Sequence, residues 1–323
     1  MSEQILSIRN LTVHYVKDKT VVKAVNGLSF DLGYRETLGI VGETGAGKTT
    51  TAKSIMRLIP NPPGKIISGE ILYKGKNVLN FSKLGLRLMR GRDISMIFQD
   101  PMTSLNPVQK VGEQISEVIR IHKKVSRKDA DREAIKMLGM VGITSDRFND
   151  YPHQFSGGMK QRVVIAISLA CNPKILIADE PTTALDVTIQ AQVLEMMSEL
   201  KSNFDTSMIL ISHDLGVVAE ICNRVAIMYA GNIVEIGNIE DIYENAQHPY
   251  TLGLFGSIPD LDSDADRLKP IEGLMPDPAN LPAGCPFHPR CPHAKRECAE
   301  MSPEMIEVSP GHSVKCILAK NKI

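Results

Sequence analysis

Between residues 42 and 50 the chain reads Gly42-Glu43-Thr44-Gly45-Ala46-Gly47-Lys48-Thr49-Thr50, a fit to G-x-x-x-x-G-K-[ST]. This pattern constrains a fold tightly, because it works only where a buried strand runs through a turn into a helix. Both flanks comply. Thr37-Leu38-Gly39-Ile40-Val41 is a short apolar run of buried-strand type. Thr50 to Leu58 lacks Gly and Pro, and Ala52, Ile55, Met56 and Leu58 give it an apolar face. The residue types answer to phosphate chemistry. Glycines let backbone N–H groups turn toward an anion, and the new helix aims its positive end there. Lys48 is placed to reach the β- and γ-phosphates of a nucleotide, and the Thr49 hydroxyl to sit on Mg²⁺. Gly42, Gly45, Gly47, Lys48, Thr49 and Thr50 are therefore the first candidate binding residues.

The remaining pattern predicts an α/β chain of the P-loop NTPase class. Residues 5 to 16 read as an edge strand, followed by strands near 23–31, 69–75 and 93–98. The last of these stops at Gln99-Asp100-Pro101, where proline ends ladder pairing. From about 101 to 171 the character is helical. Val111, Ile115, Val118 and Ile119 share one face, and Ser126 with Asp129 resembles a capping box ahead of a helix to Met140. Apolar strands recur at 174–180 and 207–212, with helices at 187–201 and 214–222 and a hairpin over 224–236. Strands alternating with helices imply a mostly parallel sheet interrupted by a helical insertion.

Two further stretches carry chemistry. Ile175 to Glu180 is a buried strand ending in two carboxylates. Asp179 there helps hold Mg²⁺, and Glu180 stands where a general base would polarise a water. Phe155-Ser156-Gly157-Gly158-Met159 opens a helix and makes a second anion-binding terminus.

In that order these motifs make residues 3 to 240 resemble the ATP-binding subunits of ABC transporters. The resemblance implies a RecA-like core, a β edge subdomain and a helical signature subdomain. Tyr15 matches the aromatic that stacks on adenine, and Gly42 to Thr49 match Walker A. Gln99 matches the Q-loop glutamine, which joins Thr49 and Asp179 around Mg²⁺. Ser156, Gly157 and Gly158 match the signature, Asp179 and Glu180 match Walker B with the catalytic glutamate, Ala184-Leu185-Asp186 match the D-loop, and His213 matches the switch histidine. Glu180, His213 and Gln99 are thus the implied catalytic set. Phe155 and Met159 depart from the commonest LSGGQ signature, which implies tuned activity. In this family two cassettes meet head to tail with ATP between the Walker A of one and the signature of the other. A second ATPase subunit is therefore implied, either a paralogue or an identical copy. Residues Phe98 to Pro107, the tract His248-Pro249-Tyr250-Thr251 and a Cys-Pro-rich end resemble the dipeptide/oligopeptide permease branch and its nickel-importing relatives. Two transmembrane permease subunits and an extracytoplasmic solute-binding protein are the further partners implied.

Composition sets the remaining bounds. With 323 residues, two or so domains are expected, divided near 245. Lys and Arg total 37, matching Asp and Glu at 37, so no net field draws in nucleic acid. The first ten residues lack the basic and apolar regions of a signal peptide, and no apolar run is long enough to span a bilayer. The expected place is the cytoplasmic face of the membrane, held there by partners. Eleven of the 19 prolines lie beyond residue 240, which predicts a loop-rich extension over 246–323. It holds Cys285, Cys291, Cys298 and Cys316 at spacing C-x₅-C-x₆-C-x₁₇-C, while Cys171 and Cys222 lie in apolar surroundings. Four thiols without paired C-x₂-C knuckles point to a [4Fe–4S] cluster, with structural zinc (to which His288, His293 or His312 could contribute) and unliganded thiols as the alternatives, and the branch resemblance implies the cluster.

The favoured reading is the ATPase of a peptide importer. The alternatives are the same machinery for nickel or another small solute, a soluble ABC-type ATPase acting on DNA or the ribosome, and an iron–sulfur redox protein with a degenerate nucleotide site. GTP is disfavoured because no N-K-x-D follows the core.

Overall fold

The computed structural model describes residues 3–182, 186–257 and 271–319. The chain forms two compact units. The first comprises Met1–Leu6, Leu32–Thr37 and Tyr73–Ile221; the second comprises Ser7–Asp31, Leu38–Leu72 and Cys222–Ile323.

The first unit is built on parallel strands Ile94–Ile97, Ile175–Asp179 and Ser207–Ile211. Ile97 pairs with Ala178, and Asp179 with Ile211. Every residue of the three is buried, which explains why the sequence shows continuous apolar runs rather than alternation. Of the polar residues in these strands, Ser95, Asp179 and Ser207, the last has its hydroxyl donating to the Gly33 carbonyl at 2.9 Å and accepting from the Arg35 N–H at 2.9 Å. The expected helical stretch resolves into Val111–Lys123, Arg127–Met140 and Gly157–Leu169, preceded by a short turn of helix at Pro101–Ser104. Lys124 adopts a left-handed conformation to close one helix, and Ser126 accepts from the Asp129 N–H at 3.2 Å to open the next. Val111, Ile115 and Ile119 are buried with Ala130, Ala134 and Leu138.

In the second unit, the greater parts of strands Thr20–Gly33, Gln4–Lys17 and Gly64–Tyr73 lie side by side in that order. A further run begins with the strand that feeds the phosphate loop. Leu38 to Val41 pairs in parallel with Arg224 to Ile227, and Arg224–Tyr229 pairs antiparallel with Asn232–Asn238. The sheet then continues into the cysteine-bearing extension. His312–Val314 pairs with Asn232–Asn238 on one side and with Ile306–Ser309 on the other. Proline content predicted a loop-rich extension there. The hairpin escapes because Pro303 and Pro310 flank its strands instead of interrupting them, and Gly311 takes the left-handed turn position at φ 81°. Val314, Cys316 and Ala319 bury against Ile306, Val308 and Leu318, which anchors the two added strands.

Candidate functional site

The phosphate loop is shaped by contacts that exclude side chains. A Cβ on Gly42 would lie 2.1 Å from the Met228 carbonyl oxygen, and one on Gly47 would lie 2.4 Å from that of Ala24. Gly47, at φ 101°, precedes the helix Lys48–Ile55, and no side chain caps that helix. Its N-terminus is thus left to backbone donors, the arrangement that suits an anion. Lys48 is buried, with Nζ donating to the carbonyls of Gly42 at 2.6 Å and Glu43 at 3.1 Å. The lysine therefore bends back over its own loop, where an incoming phosphate would compete for the ammonium. The Tyr15 hydroxyl lies 3.4 Å from the Thr50 hydroxyl, which places the expected adenine-stacking ring at the first turn of the same helix.

In the first unit, Asp179 ends its strand 1% exposed. Glu180 follows at φ 47°, a left-handed conformation that a residue with a side chain seldom adopts. Its N–H donates to the Ile211 carbonyl at 2.9 Å. One carboxylate oxygen accepts from Gln99 Nε2 at 2.9 Å, and the other stands 3.6 Å from His213 Nδ1. Gln99 and His213, far apart in sequence, thus converge on the Glu180 carboxylate. Ser156 caps the helix Gly157–Leu169, accepting from the Met159 N–H at 3.3 Å. Gly158 is required by the neighbouring helix: a Cβ there would meet Ile189 Cγ2 at 2.6 Å. In the expected D-loop, Ala184 and Leu185 lie outside the described residues, and Asp186 accepts from the Ile189 N–H at 3.0 Å to cap the helix Val187–Phe204.

Residues 25–183 match the family described as ABC transporter, and residues 234–298 match the oligopeptide/dipeptide transporter C-terminal region. The chain is 52% identical, over 98% of its length and 95% of the relative's, to the dipeptide transport ATP-binding protein DppD of Bacillus subtilis. It is 50% identical, over 97% of its length and 88% of the relative's, to the oligopeptide transport ATP-binding protein OppD of the same organism. This chain belongs to the ATP-binding proteins of ABC transporters, in their dipeptide/oligopeptide branch. Its enzymatic class is accordingly that of an ABC ATPase, for which ATP and Mg²⁺ are the cofactors. The fold agrees: the dimeric ATP-binding cassette MJ0796, whose structure was solved in a post-hydrolysis state with ADP and Pi, superposes with a TM-score of 0.65 at 24% identity, covering 72% of this chain and 98% of that one. Among the described residues, no helix of this ABC protein is long and apolar enough to cross a membrane.

One expectation is corrected. Among the described residues of this ABC protein, no group of three or more His, Cys, Asp or Glu side chains is disposed to hold a metal ion. The iron–sulfur cluster expected at Cys285, Cys291, Cys298 and Cys316, and the zinc alternative, are therefore withdrawn. The four cysteines line a small apolar cavity of about 20 Å³ together with Pro249, Phe287 and Leu318. They are free thiols, and burial raises the pKa of Cys285, Cys291 and Cys316. The Cys298 sulfur accepts from the Lys295 N–H at 3.4 Å, and Cys316 belongs to the apolar cluster behind the added hairpin. These are packing thiols, Cys298 and Cys316 buried and Cys285 and Cys291 half-buried, that fill space as small hydrophobes.

Sequence reasoning also missed contacts on the phosphate loop. Arg290 pairs with the Glu43 carboxylate at 3.0 and 3.2 Å, and the Tyr250 hydroxyl accepts from the Glu43 N–H at 3.0 Å. Arg290 lies 247 positions from its partner, and no local pattern announces such a pair.

Proposed function

We propose that this chain is the ATP-hydrolysing subunit of an importer for dipeptides and oligopeptides, working on the cytoplasmic face of the membrane with two transmembrane permease subunits. An extracytoplasmic solute-binding protein delivers the solute to those subunits. The observation that carries the reading is Glu180, held on a left-handed bend directly after buried Asp179, with Gln99 at one oxygen and His213 near the other. A carboxylate so constrained is pre-oriented, and orientation is most of what phosphoryl transfer asks of a protein. The relatives, a dipeptide and an oligopeptide transport ATP-binding protein, support the solute class.

In this reading Gly42, Gly45, Gly47, Lys48, Thr49 and Thr50 hold the phosphates through backbone N–H groups, the ammonium and the hydroxyls. Tyr15 stacks on adenine. Thr49, Gln99 and Asp179 are the residues that would hold Mg²⁺, which would screen the phosphate charge. Glu180 accepts a proton from water as the water oxygen bonds to the γ-phosphorus. The bond from that phosphorus to the β–γ bridging oxygen breaks, leaving ADP and phosphate. His213 steadies the γ-phosphate, and the segment from Gln99 to Pro107 passes the change to the permease subunits.

ATP also joins subunits. The helix start at Ser156-Gly157-Gly158 on a second cassette takes the γ-phosphate from the far side, so a triphosphate is bound by two helix N-termini and a diphosphate by one. The second cassette is a paralogue in the assembled importer or an identical copy of this chain. Hydrolysis removes the shared group and frees the pair to open.

The test is phosphate release by the full importer, with and without vanadate. Turnover should be vanadate-sensitive, and Lys48→Ala should reduce it to background. Normal turnover by Lys48→Ala would remove the assignment.

A further inference from the structure

The extension reaches into the phosphate loop through one guanidinium. Arg290 is only 7% exposed at its side chain, yet each of its three guanidinium nitrogens has a partner. Nη1 donates to both Glu43 carboxylate oxygens, at 3.0 and 3.2 Å, and lies 3.4 Å from the Tyr229 hydroxyl. Nη2 donates to the Ile271 carbonyl at 3.3 Å and Nε to the Glu272 carbonyl at 3.0 Å. A planar fork with five acceptor atoms in place is held in one orientation. Below it, Tyr229, Tyr250 and Phe287 pack ring against ring, with centroids 4.6 to 5.4 Å apart.

Glu43 is the second residue of the loop motif, and each of its polar groups is held. Its N–H donates to the Tyr250 hydroxyl at 3.0 Å, its carbonyl accepts from Lys48 Nζ at 3.1 Å, and its carboxylate meets Arg290. The carbonyl is thus one of the two on which the phosphate-seeking lysine rests. A carboxylate in this position is otherwise a liability. With an effective dielectric of about 20, one uncompensated charge roughly 10 Å from an anion costs on the order of tenfold in affinity.

We propose that Arg290 is a positioning residue for nucleotide binding: by fixing and neutralising Glu43, it keeps the phosphate loop shaped for a triphosphate and free of opposing charge. The proposal rests on the loop being the ATP site argued above. It gives the extension a task in the ATPase cycle, because any change that pulls Arg290 from Glu43 lowers the loop's affinity for ATP.

The experiment is calorimetric titration of the full chain with Mg²⁺ and the hydrolysis-resistant analogue AMP-PNP. Arg290→Gln should weaken binding about tenfold. Adding Glu43→Gln to it should restore affinity to within about threefold of wild type, since the stranded charge is then gone. A role confined to stability would show no such restoration. Arg290→Lys, the milder change, keeps the cation and loses carbonyl contacts; it should bind within about threefold of wild type. Unchanged affinity in Arg290→Gln, no recovery in the double variant, or a tenfold loss in Arg290→Lys would each overturn the proposal. Failure of the ATP reading looks different: wild type itself would not bind the analogue. Should Arg290→Gln not fold, as judged by a thermal melt, the Arg290→Lys result decides alone.

Discussion

Gly42 has no room for even a methyl group, because the Met228 carbonyl would stand 2.1 Å from it. Gly42→Ala must move either the loop or the strand Arg224–Tyr229 that carries Met228. We expect AMP-PNP affinity to fall more than tenfold, in the manner of about 1.4 kcal/mol per decade, while the thermal melt remains cooperative. Glu180 makes the complementary point. Glu180→Gln keeps the shape of the side chain and its neighbours Gln99 and His213 but cannot take a proton. It should bind ATP and hydrolyse it on the order of a hundredfold or more slower, and accumulate as a nucleotide-bound dimer on a sizing column. Wild-type turnover by Glu180→Gln would move the general base elsewhere. Lys48, Asp179, Glu180 and Ser156 stand out in the sequence as candidates because phosphate chemistry demands fixed residue types at fixed short spacing. Arg290 was not, since a single arginine in a proline-rich stretch carries no spacing at all. The cysteines misled for a related reason. Closeness in sequence imitates a ligand set, whereas packing beside Phe287, Pro249 and Leu318 decides what the thiols do.

Among the elements, the strand Asn232–Asn238 has the most to hold. Its register against Arg224–Tyr229 shifts between Ile233 and Glu235, a bulge of the kind that re-aims a side chain. Glu235 consequently points inward and is fully buried. It accepts from the Gln247 N–H at 2.7 Å, the His248 N–H at 3.0 Å and His312 Nε2 at 2.8 Å. One carboxylate so joins its own strand, the entry to the helix Pro249–Phe255 and the added hairpin. Glu235→Ala would strand three buried donors, and we expect a loss of roughly 3 kcal/mol or more in urea unfolding. A loss under about 0.5 kcal/mol, the range of an ordinary surface change, would show that the hairpin docks through apolar packing alone. Strand and helix periodicity placed nearly every element of the cassette. Alternation from Ile233 onward cannot foresee a bulge, so neither the buried glutamate nor the two strands it anchors could be read from the sequence.

At the scale of the whole molecule, the reading divides each reaction chamber between two chains, and this has a consequence no single-chain variant shows. Lys48→Ala destroys the phosphate loop but leaves the signature. Ser156→Arg blocks the signature, where the serine now caps its helix through the Met159 N–H, but leaves the loop. Each variant alone is expected to be inactive. Mixed in equal amounts without the permease subunits, half of the pairs formed at random contain one of each. Every such pair has one intact chamber, made from the loop of one chain and the signature of the other, and one chamber defective on both sides. The mixture should therefore recover about a quarter of wild-type phosphate release. Recovery at that level requires donors from two chains around one triphosphate, because no pairing of the variants repairs a chamber confined to one chain. A mixture as inactive as its parents would mean that ATP is not shared between copies of this chain, and the search for the second signature would turn to a paralogous cassette.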